Sequence, residues 1–217
     1  MVGPHEVLGM SRLLGITTTE FLARHADNGG TTLRFGADSR CVFVTPAGCR
    51  VHARRPLVCR LYPLGRAVDE NGVEKFAVFP PQPDCGAEIG TAGTVEAFLG
   101  AQGVGPYLDW SRLYGLLYRR MLGLLDRIGI EGRLEARPAG SPGDGPADHA
   151  PVAAAPLSSW QDIDASLADY CAKMGMAVPA GIGQAIELHL AAMREWLDGL
   201  EGRVGAGPKK PKRERKA

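Results

Sequence analysis

The chain has 217 residues, of which 45% are hydrophobic, 23% charged and only 6% aromatic, with 29 Gly and 16 Pro. Such a composition excludes collagenous and wholly disordered chains and is long enough for a domain with a real core. The formal net charge is +1, but six basic side chains between Lys209 and Lys216 face Glu214 alone, so the remainder is about 4 units negative and unsuited to bind nucleic acid by charge.

No run approaches the roughly 18 apolar residues of a membrane span. Glu6, Arg12, Glu20 and Arg24 are spaced like a helix surface rather than a signal peptide. The expectation is a cytoplasmic protein, in which five cysteines serve as metal ligands, redox thiols or small core residues rather than as disulfides.

In chain order, Val7, Leu8, Met10, Leu13 and Leu14 predict a helix that breaks at Gly15. Thr17 to Thr19 with Glu20 behind them predict the capped start of a second, short one. A loop over 27–30 and a short strand over 31–35 follow. From Cys41 to Cys85 no period is sustained. Strand-like pieces at 42–44 and 75–79 are joined by turns at Pro46-Ala47-Gly48, Glu70-Asn71-Gly72 and Pro80-Pro81.

Thr94 is a predicted N-cap with Glu96 in the first turn, and the leucine pattern over 106–128 predicts a long amphipathic helix. Residues 138–158 are rich in Pro, Gly and Ala and read as linker. Helical patterns return over 160–174 and 182–200. The predicted class is α+β, mostly α, with an irregular cysteine-rich metal-binding core and short strands followed by amphipathic helices. The predicted organisation is a cysteine-cluster domain with its long helix (1–135), a linker (136–158), a C-terminal helical unit (159–202) and a disordered basic tail (203–217).

Four cysteines, Cys41, Cys49, Cys59 and Cys85, lie in the irregular middle, and the fifth, Cys171, in the C-terminal helical pattern. A segment so poor in large apolar residues needs another source of stability, and a metal held by four thiolates supplies folding free energy directly. Scattered core thiols explain the same cysteines without a metal, and no CxxC knuckle is present. Between Arg40 and Arg66 stand Arg40, Arg50, Arg54, Arg55, Arg60 and Arg66 with no Asp or Glu. Cationic donors of this kind suit the net charge of a four-thiolate site. They equally suit a solvated face, an anion site or reactive redox thiols of lowered pKa.

The run Cys41-Val-Phe-Val, then Cys49-Arg-Val-His-Ala-Arg-Arg55-Pro56-Leu-Val-Cys59-Arg60-Leu-Tyr-Pro63, and later Cys85-Gly86, resembles the YkgJ-type cysteine-cluster family of zinc- or iron-chelating domain proteins, also called the CxxCxxCC family. The likeness covers about residues 4–90, and Arg55-Pro56-x-x-Cys59-Arg60 is its most specific part. His52 stands where the family carries an aromatic and Val44 where it carries Leu. Members usually open with a CxxCC-like cluster ahead of a Pro-x-Asp-[IV] helix start. This chain begins Met1-Val-Gly-Pro4-His5-Glu6-Val7, as though entered just after it, so the expectation is a start codon assigned too late or a lineage that lost those ligands.

The resemblance implies an iron–sulfur cluster or zinc bound by Cys41, Cys49, Cys59 and Cys85, with Arg55 and Arg60 as donors around the thiolates and Pro56 and Pro63 fixing the backbone. Iron implies electron transfer or redox sensing, and some members are labelled iron–sulfur oxidoreductases or resemble flagellin lysine methylases. No catalytic motif is visible: paired carboxylates and a triad are missing, and Gly100 to Gly105 lacks the strand–turn–helix context of a nucleotide loop. The alternative is a helical protein-interaction module in which the cysteine segment is scaffold. Of the histidines only His52, three residues after Cys49, is placed to join a metal shell. His5, His25, His149 and His189 read as dispersed, and His189 as a satisfied or surface residue of its helix. Trp110, Trp160 and Trp196 read as core or interface anchors, and the basic tail as a solubilising run that is also the one segment suited to nucleic acid or acidic lipid.

Overall fold

The computed structural model describes residues 1–69, 72–80, 90, 93–128 and 160–205. It is mostly helical with short antiparallel strand pairs. Helices α1 (Pro4–Leu14) and α2 (Thr18–His25) open the chain. Gly15 ends α1 at φ +67°, a left-handed conformation that glycine adopts without penalty. Thr17 and Glu20 cap α2 reciprocally, Glu20 N donating to Thr17 Oγ1 at 3.1 Å and Thr17 N to Glu20 Oε2 at 3.0 Å.

Strands β1 (Ala26–Asp27) and β2 (Thr32–Leu33) pair around a 3-10 turn, followed by the hairpin of β3 (Val44–Thr45) and β4 (Gly48–Cys49). A second 3-10 turn, His52–Arg54, leads to α3 (Leu57–Leu61). The hairpin of β5 (Leu64–Val68) and β6 (Glu74–Val78) runs in register from Leu64↔Val78 to Val68↔Glu74. Then come α4 (Val95–Ala101), capped by Thr94, and the long α5 (Gly105–Ile128). Helices α6 (Ile163–Met174) and α7 (Ile182–Gly205) complete the described fold. No described helix is long and apolar enough to cross a membrane.

Among the elements of the aperiodic middle that the pattern did not predict are α3 and β5. Five-residue elements supply too few repeats for a period to emerge, and α3 carries Cys59 and Arg60 among its apolar residues. Helix α7 runs to Gly205, beyond the boundary expected at 202. The expected linker core, Glu70-Asn71, Cys85 and the basic tail lie outside the described residues.

Three apolar clusters organise the packing. The largest joins Leu8 of α1, Tyr114, Leu117, Met121 and Leu124 of α5, Ile163 and Leu167 of α6, and Ile186, Leu190 and Leu197 of α7. The C-terminal helical unit thus shares its core with α1 and α5. A polar latch reinforces this junction. Asp162, the N-cap of α6, accepts from the hydroxyls of Thr18 and Thr19, while Asp164 N donates to Thr18 Oγ1 at 2.9 Å and Thr18 N to Asp164 Oδ2 at 2.8 Å. The first turns of α2 and α6 thereby cap each other across about 145 residues of sequence.

Two histidines are built into this core rather than onto its surface. His5 stacks on Tyr114, centroids 5.5 Å apart and planes 11° apart, beside Tyr107 and Trp110. Tyr114 in turn hydrogen-bonds His189 Nδ1 at 2.9 Å. His189 is only 1% exposed, which corrects its reading as a surface or fully satisfied residue, since its Nε2 has no partner among the described residues.

Truncation of Leu8 or of Leu197 to Ala is expected to cost about 2–5 kcal/mol, each in one unfolding transition seen by both far-UV and near-UV circular dichroism. Separate transitions would show that α6 and α7 fold independently. Burial lowers both His5 and His189 from 6.5 to about 4. Between those values the unfolded chain binds more protons than the folded one, so stability falls as pH drops, by about 3 kcal/mol per histidine. His5→Phe should remove about half of that acid sensitivity in denaturation midpoints measured from pH 7 to 4.

Candidate metal centre

The β3–β4 hairpin carries Cys49, and Cys41 lies just before it. Its turn closes through Gly48 at φ +105°, and Val44 pairs with Cys49. Cys41 pairs with Phe35, and its carbonyl accepts from Val44 N at 2.9 Å. What anchors the hairpin is Phe43, fully buried and stacked with Phe21 of α2 at 5.8 Å, with the partly buried Cys41 and Cys49 packed on the same cluster. The third cysteine rides on α3, whose Leu57 and Leu61 are buried against Val104, Tyr107 and Leu108. Pro56 is the N-cap of this helix, and the Tyr62–Pro63 bond that follows it is cis.

The charges of Cys41 and Cys49 both bear on Cys59. Cys59 reaches solvent, but the protein packed around it disfavours the thiolate, and the charges of Cys41, Cys49 and Glu6 add to that; together they push its pKa up to about 11. The Arg55 guanidinium acts in the opposite sense. Among the described residues, however, no group of three or more His, Cys, Asp or Glu is disposed to hold a metal ion. Cys85, the fourth expected ligand, lies outside the described residues.

The arginines divide into different roles. Arg55 donates to His52 O at 2.9 Å and to Gln102 Oε1 at 2.6 Å while its charge favours the Cys59 thiolate. Arg60, expected beside it as a donor to thiolate, is buried and directed elsewhere. It donates to the carbonyls of Arg55 (3.0 Å), Gln102 (2.9 Å) and Ala53 (2.9 Å) and to Tyr107 Oη (3.0 Å), with its guanidinium carbon 4.2 Å from the Tyr107 ring centroid. These four bonds leave one of the five guanidinium N–H groups for any other acceptor. Arg60 therefore shapes the loop that carries the thiols. Arg66 pairs with Glu74, which Arg112 of α5 also binds at 2.7 Å, holding the Glu74 carboxyl down at about 2 and tying the β5–β6 hairpin to α5. His52 is exposed, and its nearest polar contact is Arg55 rather than a thiol.

Two residues essential to this arrangement were not singled out from the sequence. Gln102 receives Arg55 on its side chain and Arg60 on its carbonyl, and no local pattern marks it. Glu6 was read as helix surface, yet it is buried: Oε2 accepts from Gly3 N at 2.6 Å and Oε1 from Leu57 N at 2.5 Å. Its place three residues after the N-cap, behind Pro4, is the one sequence signal for the first bond. The second ties α1 to the start of α3 and could not be read locally. Burial raises the Glu6 carboxyl, while the two backbone donors, the chain's amino terminus and Arg60 pull it back.

Comparison with protein-family models, curated proteins and solved structures returned no match.

Glu6→Gln keeps the shape but turns an amide NH₂ toward one of two backbone donors. The expected loss is about 1–3 kcal/mol in urea unfolding. An unchanged midpoint would show that the contact with Leu57 N contributes nothing to holding α3.

Proposed function

We propose that the protein is a metal-binding cysteine-cluster protein of the YkgJ type, in which Cys41, Cys49, Cys59 and Cys85 hold an iron–sulfur cluster or a zinc ion. The observation that carries the reading is that the charges of Cys41, just before the β3–β4 hairpin, and of Cys49, on β4, bear on Cys59 of α3, with Arg55 acting in the opposite sense. Sulfur donors of this kind suit zinc and iron–sulfur clusters alike. Free, the Cys59 thiol stays protonated at neutral pH, so loading releases protons and affinity rises with pH. Arg55 places positive charge where the assembled site gains negative charge, and Arg60, Gln102 and Glu6 hold the α3 loop in position. An iron–sulfur centre would supply one-electron chemistry for electron transfer or redox sensing, and zinc a structural cross-link.

The test is anaerobic purification followed by elemental analysis and an absorption spectrum from about 300 to 700 nm. Stoichiometric iron with acid-labile sulfide and a broad visible band identifies a cluster, and about one zinc per chain without a band identifies zinc. In either case Cys59→Ser should lose at least tenfold in metal content while Cys171→Ala, in the helical core, retains it. Native protein without stoichiometric metal, or Cys59→Ser that keeps its full complement, overturns the proposal.

A further inference from the structure

Between Arg40 and Arg66 six arginines stand without an Asp or Glu, whereas the chain ahead of its basic tail is net negative. Folding gathers several arginines on one small face. Val42 N donates to Arg34 O at 3.2 Å, Phe35 bridges to Cys41, Val44 pairs with Cys49, and Arg50 N donates to Phe43 O at 2.9 Å. His25, packed on Phe43 with centroids 4.9 Å apart, lies on the same side: its pKa is lowered first by burial and then by the charges of Arg50, Arg24 and Arg34.

Much of this charge is already answered within the chain. Arg24 pairs with Glu20, Arg34 with Asp27 and Arg40 with Asp38. The side chains of Arg50 and Arg54, by contrast, are exposed and have no partner among the described residues. The stem of Arg54 lies across Gly9 of α1, its Cδ 3.8 Å from where a side chain there would begin, so the glycine gives it room. In the same segments three apolar side chains face solvent: Phe35 is 61% exposed, Val44 51% and Val58 57%. Unanswered arginine among exposed apolar groups is the composition of a protein-binding surface rather than of an inert one.

We propose that this face, formed around Phe35, Val44, Arg50, Arg54 and Val58, docks a protein partner whose contact segment carries carboxylates interleaved with apolar side chains. Carboxylates match the guanidinium fork, and apolar groups match the two valines and Phe35. Valine offers no ring on which a base could stack, and a nucleic acid long enough to pass beyond the face meets the negative remainder of the body. A locally acidic protein segment is therefore the better complement. Arg50 and Val58 adjoin Cys49 and Cys59 in sequence, so the partner sits beside the centre proposed above. Docking itself requires no metal, and neither Arg50 nor Arg54 is a ligand in that reading, so the two proposals stand or fall separately.

The probe is a fluorescein-labelled peptide of four Glu-Glu-Glu-Leu repeats, titrated into the full-length protein and followed by fluorescence anisotropy. Saturable binding is expected, weakened at least tenfold by Arg50→Glu/Arg54→Glu and by raising salt from about 0.05 to about 0.3 M. Val58→Ser should weaken this peptide at least threefold and leave an all-glutamate peptide of the same length unaffected. Replacing the six basic residues between Lys209 and Lys216 by Gln should leave affinity within twofold, which separates the face from the tail. Circular dichroism checks that each variant is folded. Absence of saturable binding, equal affinity in native protein and Arg50→Glu/Arg54→Glu, or a short DNA duplex bound as tightly through the same two arginines, overturns the proposal.

Discussion

The buried carboxylate of Glu6 joins two parts of the chain that share no secondary structure. One oxygen closes the first turn of α1 on Gly3 N, and the other receives Leu57 N at the start of α3. A carboxylate away from water is costly unless its lone pairs are satisfied. Here the orphan amides of two helix starts provide that satisfaction, and the cost of burial becomes a constraint on where α3 can sit. Because Cys59 rides on α3, the same contact sets the approach of the third thiol to the β3–β4 hairpin.

Arginine completes the constraint from the other side. Arg60 spends four N–H groups on three carbonyls and Tyr107, converting an irregular loop into a positioned one. A loop with so few large apolar side chains cannot be held by burial, and backbone carbonyls gathered around one planar cation replace the missing core. Arg55 keeps its charge toward the thiols, so two neighbouring arginines of one motif divide scaffolding from electrostatics.

The helical remainder serves the same end at longer range. Helices α5, α6 and α7 enclose α1 through Leu8, and the mutual capping of α2 and α6 fixes the N-terminal pair against the C-terminal pair. The platform on which the cysteine hairpin rests, Phe21 and Phe43, is therefore supported by residues more than 100 positions away.

Much of the helical architecture was legible in the sequence. Gly15, Thr17 with Glu20, Thr94 and the leucine spacing of 106–128 are local signals, and each marks a boundary or a helix where the structure has one. What only tertiary structure decided was the partner of each polar group. Glu6 and Arg60 carry no mark that separates a surface charge from a buried clamp, and His189 sits at a helical position like any other. Local sequence governs backbone preference over a few residues, whereas the burial of a charge and the carbonyl that satisfies it are properties of segments brought together from across the chain.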